Sequence, residues 1–499
     1  MSIRQIPVLL IICCQLLAVP VMLEKDHLLL TRPVAYSTIG QFLNSVADRD
    51  FIDVSSAGHS VEGRKLYLVH LNQGGPARWT MFFYGQQHGN EPAGKDALLY
   101  LIQRIAENPR LLPKGVDLWI MPMVNPDGAQ KDMRQNANGV DLNRDHILVR
   151  EPETQILHQV FDRIQPDLTV DCHEFTRDSR DYLELGWIEW PQIMMDCANN
   201  PLFNAELYTA GVDWCNRVAR PLAKKGYNYT RYYVGGPPEK GEMRYSFPEI
   251  GDARNYFGAR GCLSFIVESG VFRSAENPQA DLGVRVDAYL TILETFLQEG
   301  RYRRKETRLI RTARTAALPD FIPTNYFWAN AQPRITPVKV LDKTSGKPVS
   351  IPIADFMHDL VIKSSVPTPA GYIILPEAAA AYAPLLKRHS IHYKPVTIPI
   401  TGRSEACRLL RIEDHFDPIY MRYSGRQIVQ RDSVKIATVP TGSLYISLDQ
   451  PNPRLAALIL EPTMMYGLFQ HTQFQDLVDT ETQRMPIIRW LEQNKEDIH

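Results

Sequence analysis

Cysteine is scarce in this chain. The 499 residues hold seven, and Cys13 and Cys14 fall inside an apolar N-terminal run. The other five, Cys172, Cys197, Cys215, Cys262 and Cys407, are odd in number and widely spaced. That pattern argues against a disulfide framework. Cys197 and Cys215 could pair, but nothing requires it. Neither sign of charge is in excess: 55 Lys and Arg stand against 56 Asp and Glu, a formal net charge of -1. Such balance gives no support to nucleic-acid binding. No low-complexity tract, long single-sign run or internal repeat is present. One long apolar run occurs, from Ile6 to Leu23, preceded by Arg4 and followed by Glu24, Lys25 and Asp26. It reads as a secretory signal peptide, residues 1–23, or at this length as an uncleaved anchor. The expected location is secreted or periplasmic, with membrane contact only through this segment.

What is present is a chain of 44% hydrophobic and 22% charged residues, long enough for two or three domains with sizeable cores. Its most informative feature is a dispersed set of metal-ligating side chains. His88 and Glu91 lie in Gly85-Gln-Gln-His-Gly-Asn-Glu-Pro92, and His173 lies in Val170-Asp-Cys-His-Glu174. Two imidazoles and a carboxylate are the protein ligands of a catalytic zinc, with a fourth position left open. A structural zinc more often has four protein ligands, usually including Cys. A His-x-x-Glu pair alone is weak, because most such pairs are neighbours on a helix surface.

The surroundings add weight. Trp79–Tyr84 reads as a buried strand and Pro92–Ile105 as a helix with Pro at its start. His88 and Glu91 therefore sit on a strand-to-helix connection, where α/β sheets bind ligands. His173 follows the strand-like run Asp167–Asp171. Asn125-Pro-Asp-Gly128 reads as a tight turn after the strand Leu118–Val124. Arg134, Asn143 and Arg144 then supply planar donors suited to a carboxylate or a polarised carbonyl, although a solvated polar loop would look the same. Leu263–Val267 reads as a strand ending in Glu268, a carboxylate placed to act on metal-activated water.

In this order, His88-x-x-Glu91, Asn125-Pro-Asp-Gly128, Arg134, Asp141-x-Asn143-Arg144, His173 and Glu268 resemble the zinc carboxypeptidase family, the carboxypeptidase A-like metallopeptidases. Gly58-His-Ser-Val-Glu-Gly-Arg64 is similar to a stretch near the start of their catalytic domains. The resemblance covers roughly residues 35 to 300 and includes bacterial-type members with a C-terminal extension. It implies one zinc ion held by His88, Glu91 and His173, with Asp141 orienting the first histidine. It implies that Arg134 stabilises the oxyanion, that Asn143 and Arg144 hold the terminal carboxylate of a peptide, and that Glu268 is the general base. Tyr245 is the nearest match to the family's mobile tyrosine, with Tyr256 a competitor that more naturally packs. Asp252 and Arg254 fall where the family selects its terminal side chain, although a surface ion pair between them is equally natural. The interval from Glu91 to His173 is shorter than in the digestive enzymes. Cys172, although adjacent to His173, should point to the other face of its strand. His146 and His158 have no partner at ligand spacing and read as surface or core residues.

The expected catalytic unit spans 30–305, a mixed, mainly parallel sheet flanked by helices. Val286–Leu297 has helical spacing and leads to a charged end at Arg301–Glu306. Beyond it, 306–499 reads as an accessory, mainly β domain with strands at Thr336–Leu341, Tyr372–Leu375, Val396–Ile400 and Ser443–Ser447. A helix should start at Pro376 and be kinked or shortened by Pro384. The expected activity is that of a metallocarboxypeptidase acting on peptides with a free C-terminal carboxylate. The alternative is a zinc amidohydrolase of the aspartoacylase or succinylglutamate desuccinylase type, which shares the His-x-x-Glu, the Asp-x-Asn-Arg and the later His. A non-enzymatic binding module is the third reading, and retention of every ligand and the base speaks against it.

Overall fold

A computed structural model describes residues 23–238, 240–302, 304–417 and 422–492. The N-terminal apolar run up to residue 22 lies outside the described residues. Among the described residues, no helix is long and apolar enough to cross a membrane.

Eight strands form the main sheet: β1 (Ile52–His59), β2 (Lys65–Leu71), β3 (Trp79–Gly85), β4 (Val116–Met121), β5 (Leu168–Thr176), β6 (Ile193–Cys197), β7 (Tyr229–Arg231) and β8 (Leu263–Val271). Their order is β1-β2-β4-β3-β5-β8-β6-β7. The pairs β3–β4, β3–β5, β5–β8 and β6–β7 are parallel. The pairs β1–β2, β2–β4 and β6–β8 are antiparallel. The sheet is thus mixed, with parallel pairing at its centre.

The central strands read as continuous apolar runs because both faces are covered. Alternation along β3 shows this directly. Met81 and Phe83 enter one core, whereas Phe82 and Tyr84 enter the other. The first core is closed by α1 (Tyr36–Val46), α2 (Pro92–Glu107), α4 (Ala205–Lys224) and α6 (Leu282–Glu299). The second is closed by α3 (Pro152–Ile164) and α5 (Ala253–Ala259) together with side chains from beyond residue 305. Pro92 stands at the first position of α2, where its fixed φ suits a helix start and no amide is missed.

Beyond residue 305 the chain is mainly β. A seven-stranded sheet is built around Gly371–Ile374, Ile400–Asp417, Leu444–Ser447 and Arg484–Trp490. A separate ribbon pairs Phe321–Ala329 with Asp359–Pro367. Helix α7 (Pro376–Arg388) keeps Pro384 inside it rather than ending there. Its Tyr382, Leu385 and Leu386 share one apolar cluster with Tyr84, Phe161, Tyr256 and Phe257. Polar contacts seal the junction: the His389 ring bonds the Ile147 carbonyl at 2.7 Å, and Ser390 Oγ donates to Asp162 at 2.6 Å. The two parts therefore bury apolar surface against each other.

Local expectations shift at several points. β5 runs on to Thr176 and β8 to Val271, so His173 and Glu268 lie within strands rather than after them. The parallel register Glu268↔His173 extends the pairing that far. Pro126–Gln130 is a short helix capped by Asn125, whose side chain accepts from the Gly128 amide at 2.8 Å. Val396–Pro399 is not a strand; pairing covers Lys394–Pro395 and resumes at Ile400, and Pro395 and Pro399 lack the amides a ladder needs. The charged stretch at 301–306 runs into a further helix, Arg304–Thr315. The five described cysteines are buried free thiols.

Candidate metal centre

The chain leaves β3 at Gly85, and the turn to α2 carries His88 and Glu91. Two strands away in sequence, β5 delivers His173 to the same point. One ligating atom from each of His88, Glu91 and His173 lies within 4.8 Å of the other two, and all three residues are buried. Gly89 allows this turn. A Cβ there would lie 2.1 Å from the Gly128 carbonyl carbon and 2.2 Å from the Ala129 nitrogen.

The donor atoms face inward. His88 Nδ1 lies 2.9 Å from Glu91 Oε1, His173 Nδ1 lies 2.9 Å from Glu91 Oε2, and the two Nδ1 atoms are 3.0 Å apart. Each ring turns its other nitrogen to a carboxylate: His88 Nε2 to Asp141 at 3.0 Å and His173 Nε2 to Asp171 at 2.9 Å. Asp141 and Asp171 only accept, so each Nε2 carries a proton, and with a metal in place each Nδ1 would present its lone pair to it. Four lone-pair atoms then converge on one point. Burial would raise the Glu91 carboxyl, but the two imidazoles outweigh it and hold it well below the usual range. Burial would lower His173, but Asp171 and Glu91 outweigh it and hold it well above. The pocket is therefore built for positive charge. Two imidazoles and a carboxylate with one open side fit a zinc ion, and the carboxylates behind both rings are the usual orienting partners.

A cavity of about 380 Å³ opens over these atoms, lined among others by His88, Glu91, Arg134, Asn143, Arg144, Asp252, Arg254 and Glu268. Burial pushes the Glu268 carboxyl up to about 7, with His173 opposing and Glu91 adding to this. Arg134 is anchored by Asp141 (Nε to Oδ2 3.0 Å) and reaches Glu91 at 3.4 Å. Asn143 has its orientation set from behind. Its Oδ1 accepts from the Ala253 amide at 2.9 Å, and its Nδ2 lies 3.3 Å from His173 Nε2. Arg144 Nη1 donates to the Asn143 carbonyl at 2.7 Å.

Tyr245 is not brought to this cavity. It packs edge-on against Trp328 and Phe356, with the Arg231 guanidinium 3.9 Å over its ring. The two aromatic partners come from beyond residue 305, so local sequence gave no sign of them. Tyr232 lines the cavity instead. Tyr256 is buried and packs, its hydroxyl 2.9 Å from His389. Asp252 and Arg254 do pair, at 2.9 Å, but inside the protein rather than at its surface. Arg254 also donates to the Phe247 carbonyl at 2.7 Å and to Ser246. Cys172 turns away from the metal side, as strand alternation requires, and meets Gly94 of α2. Asp171, Gln87 and His146 stand behind the His173 ring as well, joined to it by hydrogen bonds that no ligand spacing marks. For Asp171 the Asp-x-His spacing was the available signal, since residues two apart on a strand share a face.

Fold and site together define a class: an α/β protein with a buried candidate metal site toward the carboxyl ends of central strands. Residues 39–184 match the family model described as zinc carboxypeptidase (Peptidase_M14). That segment includes the three ligands, Arg134, Asn143 and Arg144; Glu268 lies beyond it. The chain is 34% identical over 225 residues to the probable carboxypeptidase 2 of Arthroderma benhamiae, covering 42% of each chain. It is 25% identical over 223 residues to the carboxypeptidase 2 of Trichophyton tonsurans, covering 42% of this chain and 41% of that protein. The match thus spans less than half the length of these curated relatives. Among solved structures, a putative carboxypeptidase from Burkholderia mallei aligns with a TM-score of 0.44 at 24% identity, over 54% of this chain and 68% of that one.

Proposed function

We propose that the protein is a zinc-dependent metallocarboxypeptidase that removes the C-terminal residue of peptides. The observation that carries this reading is the convergence of the His88, Glu91 and His173 lone pairs beneath a cavity that also holds Glu268, Arg134, Asn143 and Arg144. Zinc held there would supply Lewis acidity to a water molecule and to the scissile carbonyl. Asn143 and Arg144 bind the substrate's terminal carboxylate, Arg144 through its planar guanidinium. Arg134 lies over Glu91 and stabilises negative charge on the carbonyl oxygen. Glu268 takes a proton from the attacking water and delivers it to the leaving amine.

The zinc content of purified protein and the rate of terminal-residue release from N-blocked dipeptides test this reading. Faster turnover of simple N-acyl amino acids would favour the amidohydrolase alternative. Export completes the proposal, supported by the apolar run Ile6–Leu23 with Arg4 before it. N-terminal sequencing of protein recovered outside the cytoplasm tests that part.

A further inference from the structure

Behind His173 lies a buried chain of polar groups that the reaction does not touch. Gln87 Nε2 donates to Asp171 Oδ2 at 2.7 Å, the same oxygen that receives His173 Nε2. Gln87 Oε1 faces His146 Nε2 at 3.0 Å, and His146 Nδ1 faces His158 Nε2 at 2.9 Å. All of these residues are buried. Every bond has only one possible direction. Asp171 accepts, so the Gln87 amide must turn its nitrogen to it and its oxygen to His146. His146 therefore carries its proton on Nε2 and offers a lone pair at Nδ1, which the His158 Nε2–H fills. Burial presses His146 down to about 3 and His158 well below its ordinary value, so each ring holds a single proton, as this direction requires.

The far end is anchored across the junction with the C-terminal part. The His158 ring stacks on Tyr256 at 4.2 Å. The Tyr256 hydroxyl meets His389 Nδ1 at 2.9 Å, and His389 Nε2 meets the Ile147 carbonyl at 2.7 Å. The carbonyl only accepts, so His389 donates there and receives from Tyr256. Gln87 also stands one residue before His88, and it lies 3.4 Å from Asn143. It thus touches the scaffolding of both ligand histidines.

We propose that Gln87, His146 and His158 form a one-way hydrogen-bond relay that positions Asp171, and through it the His173 lone pair, for metal binding. This rests on the metal-centre reading above. The three act as positioning residues, since none of them lines the cavity. Without the Gln87 amide, Asp171 loses one of the two donors that fix its carboxylate plane, and His173 is free to rotate or change tautomer.

The test uses full-length protein stripped of metal and titrated with zinc against a chromophoric chelator. A second readout is the visible spectrum of the cobalt-substituted protein. Gln87→Met keeps the length and removes the relay. Partners of this kind typically contribute roughly 10–100-fold to metal affinity, and a weakening of that size with an altered cobalt spectrum is expected. His146→Phe keeps a stacked ring and removes the donor to Gln87. It should shift affinity in the same direction by less, and it carries the test should Gln87→Met fail to fold. A role limited to packing would lower the melting temperature of the stripped protein and leave zinc affinity and spectrum unmoved; that result overturns the relay. Wild-type protein that takes up no zinc would instead overturn the metal centre itself.

Discussion

Replacing Glu268 by Gln should destroy turnover and, in the metal-free protein, raise stability. Glu268 is buried, and its carboxyl is pushed up to about 7 from an ordinary 4.5. That gap corresponds to about 3 kcal/mol of folding free energy. The sign follows from linkage. Below about 4.5 the group is protonated whether the chain is folded or unfolded, and burial carries no penalty. Between about 4.5 and 7 the unfolded chain ionises while the folded one stays neutral, so the penalty grows. Above about 7 it is complete. Gln has no such penalty. Urea denaturation of the two metal-free proteins should therefore agree near pH 4 and separate by up to about 3 kcal/mol near pH 8, with Gln the more stable. Activity moves oppositely. Loss of a general base should lower kcat by roughly 10²–10⁴-fold, about 3–5 kcal/mol of barrier. Zinc content should stay at the wild-type level, because Glu268 is not one of the three converging ligands. Turnover within twofold of wild type would show that another group takes the proton. A stability difference that did not widen between pH 4 and pH 8 would refute the claim that burial sets the Glu268 proton affinity.

Three further outcomes follow from the geometry. Removing zinc with a chelator should abolish hydrolysis, and adding zinc back at a thousand times its Kd should stabilise the fold by about 4 kcal/mol, read as a concentration-dependent melting temperature. Gly89→Ala places a methyl 2.1 Å from backbone at Gly128; strain of about 1–3 kcal/mol and weakened zinc uptake should appear together in calorimetry and metal analysis. Arg489 is buried and bonds both Glu461, at 3.0 Å, and Glu405. Arg489→Met should cost about 3–5 kcal/mol by leaving the buried Glu461 carboxylate without its cation, while Glu405 keeps Arg431 at 3.2 Å, with kcat/KM of the folded protein unchanged.

Much of the centre was legible in the chain itself. Ligand chemistry is local: His88 and Glu91 sit three residues apart on a strand-to-helix turn, and the buried strands around them are continuous apolar runs. The face of Cys172 followed from strand alternation alone, because the period of two admits no other arrangement. Asp171 could have been read by the same rule, as it shares the His173 face two residues earlier.

Other features had no local signal. Tyr245 is claimed by Trp328 and Phe356, more than eighty residues away in sequence, and an aromatic ring goes where it buries most surface. The ion pair of Asp252 and Arg254 was readable, but its burial depended on Ser246, Phe247 and Asp196 closing around it. The roles of Gln87, His146 and His158 needed three dimensions as well, since hydrogen bonds join atoms and not sequence intervals. The amino-acid order by itself determined which atoms could bind a metal and which strands would carry them. Tertiary structure alone decided which of those atoms meet, and which buried polar groups stand behind them, because burial and direction are properties of packing.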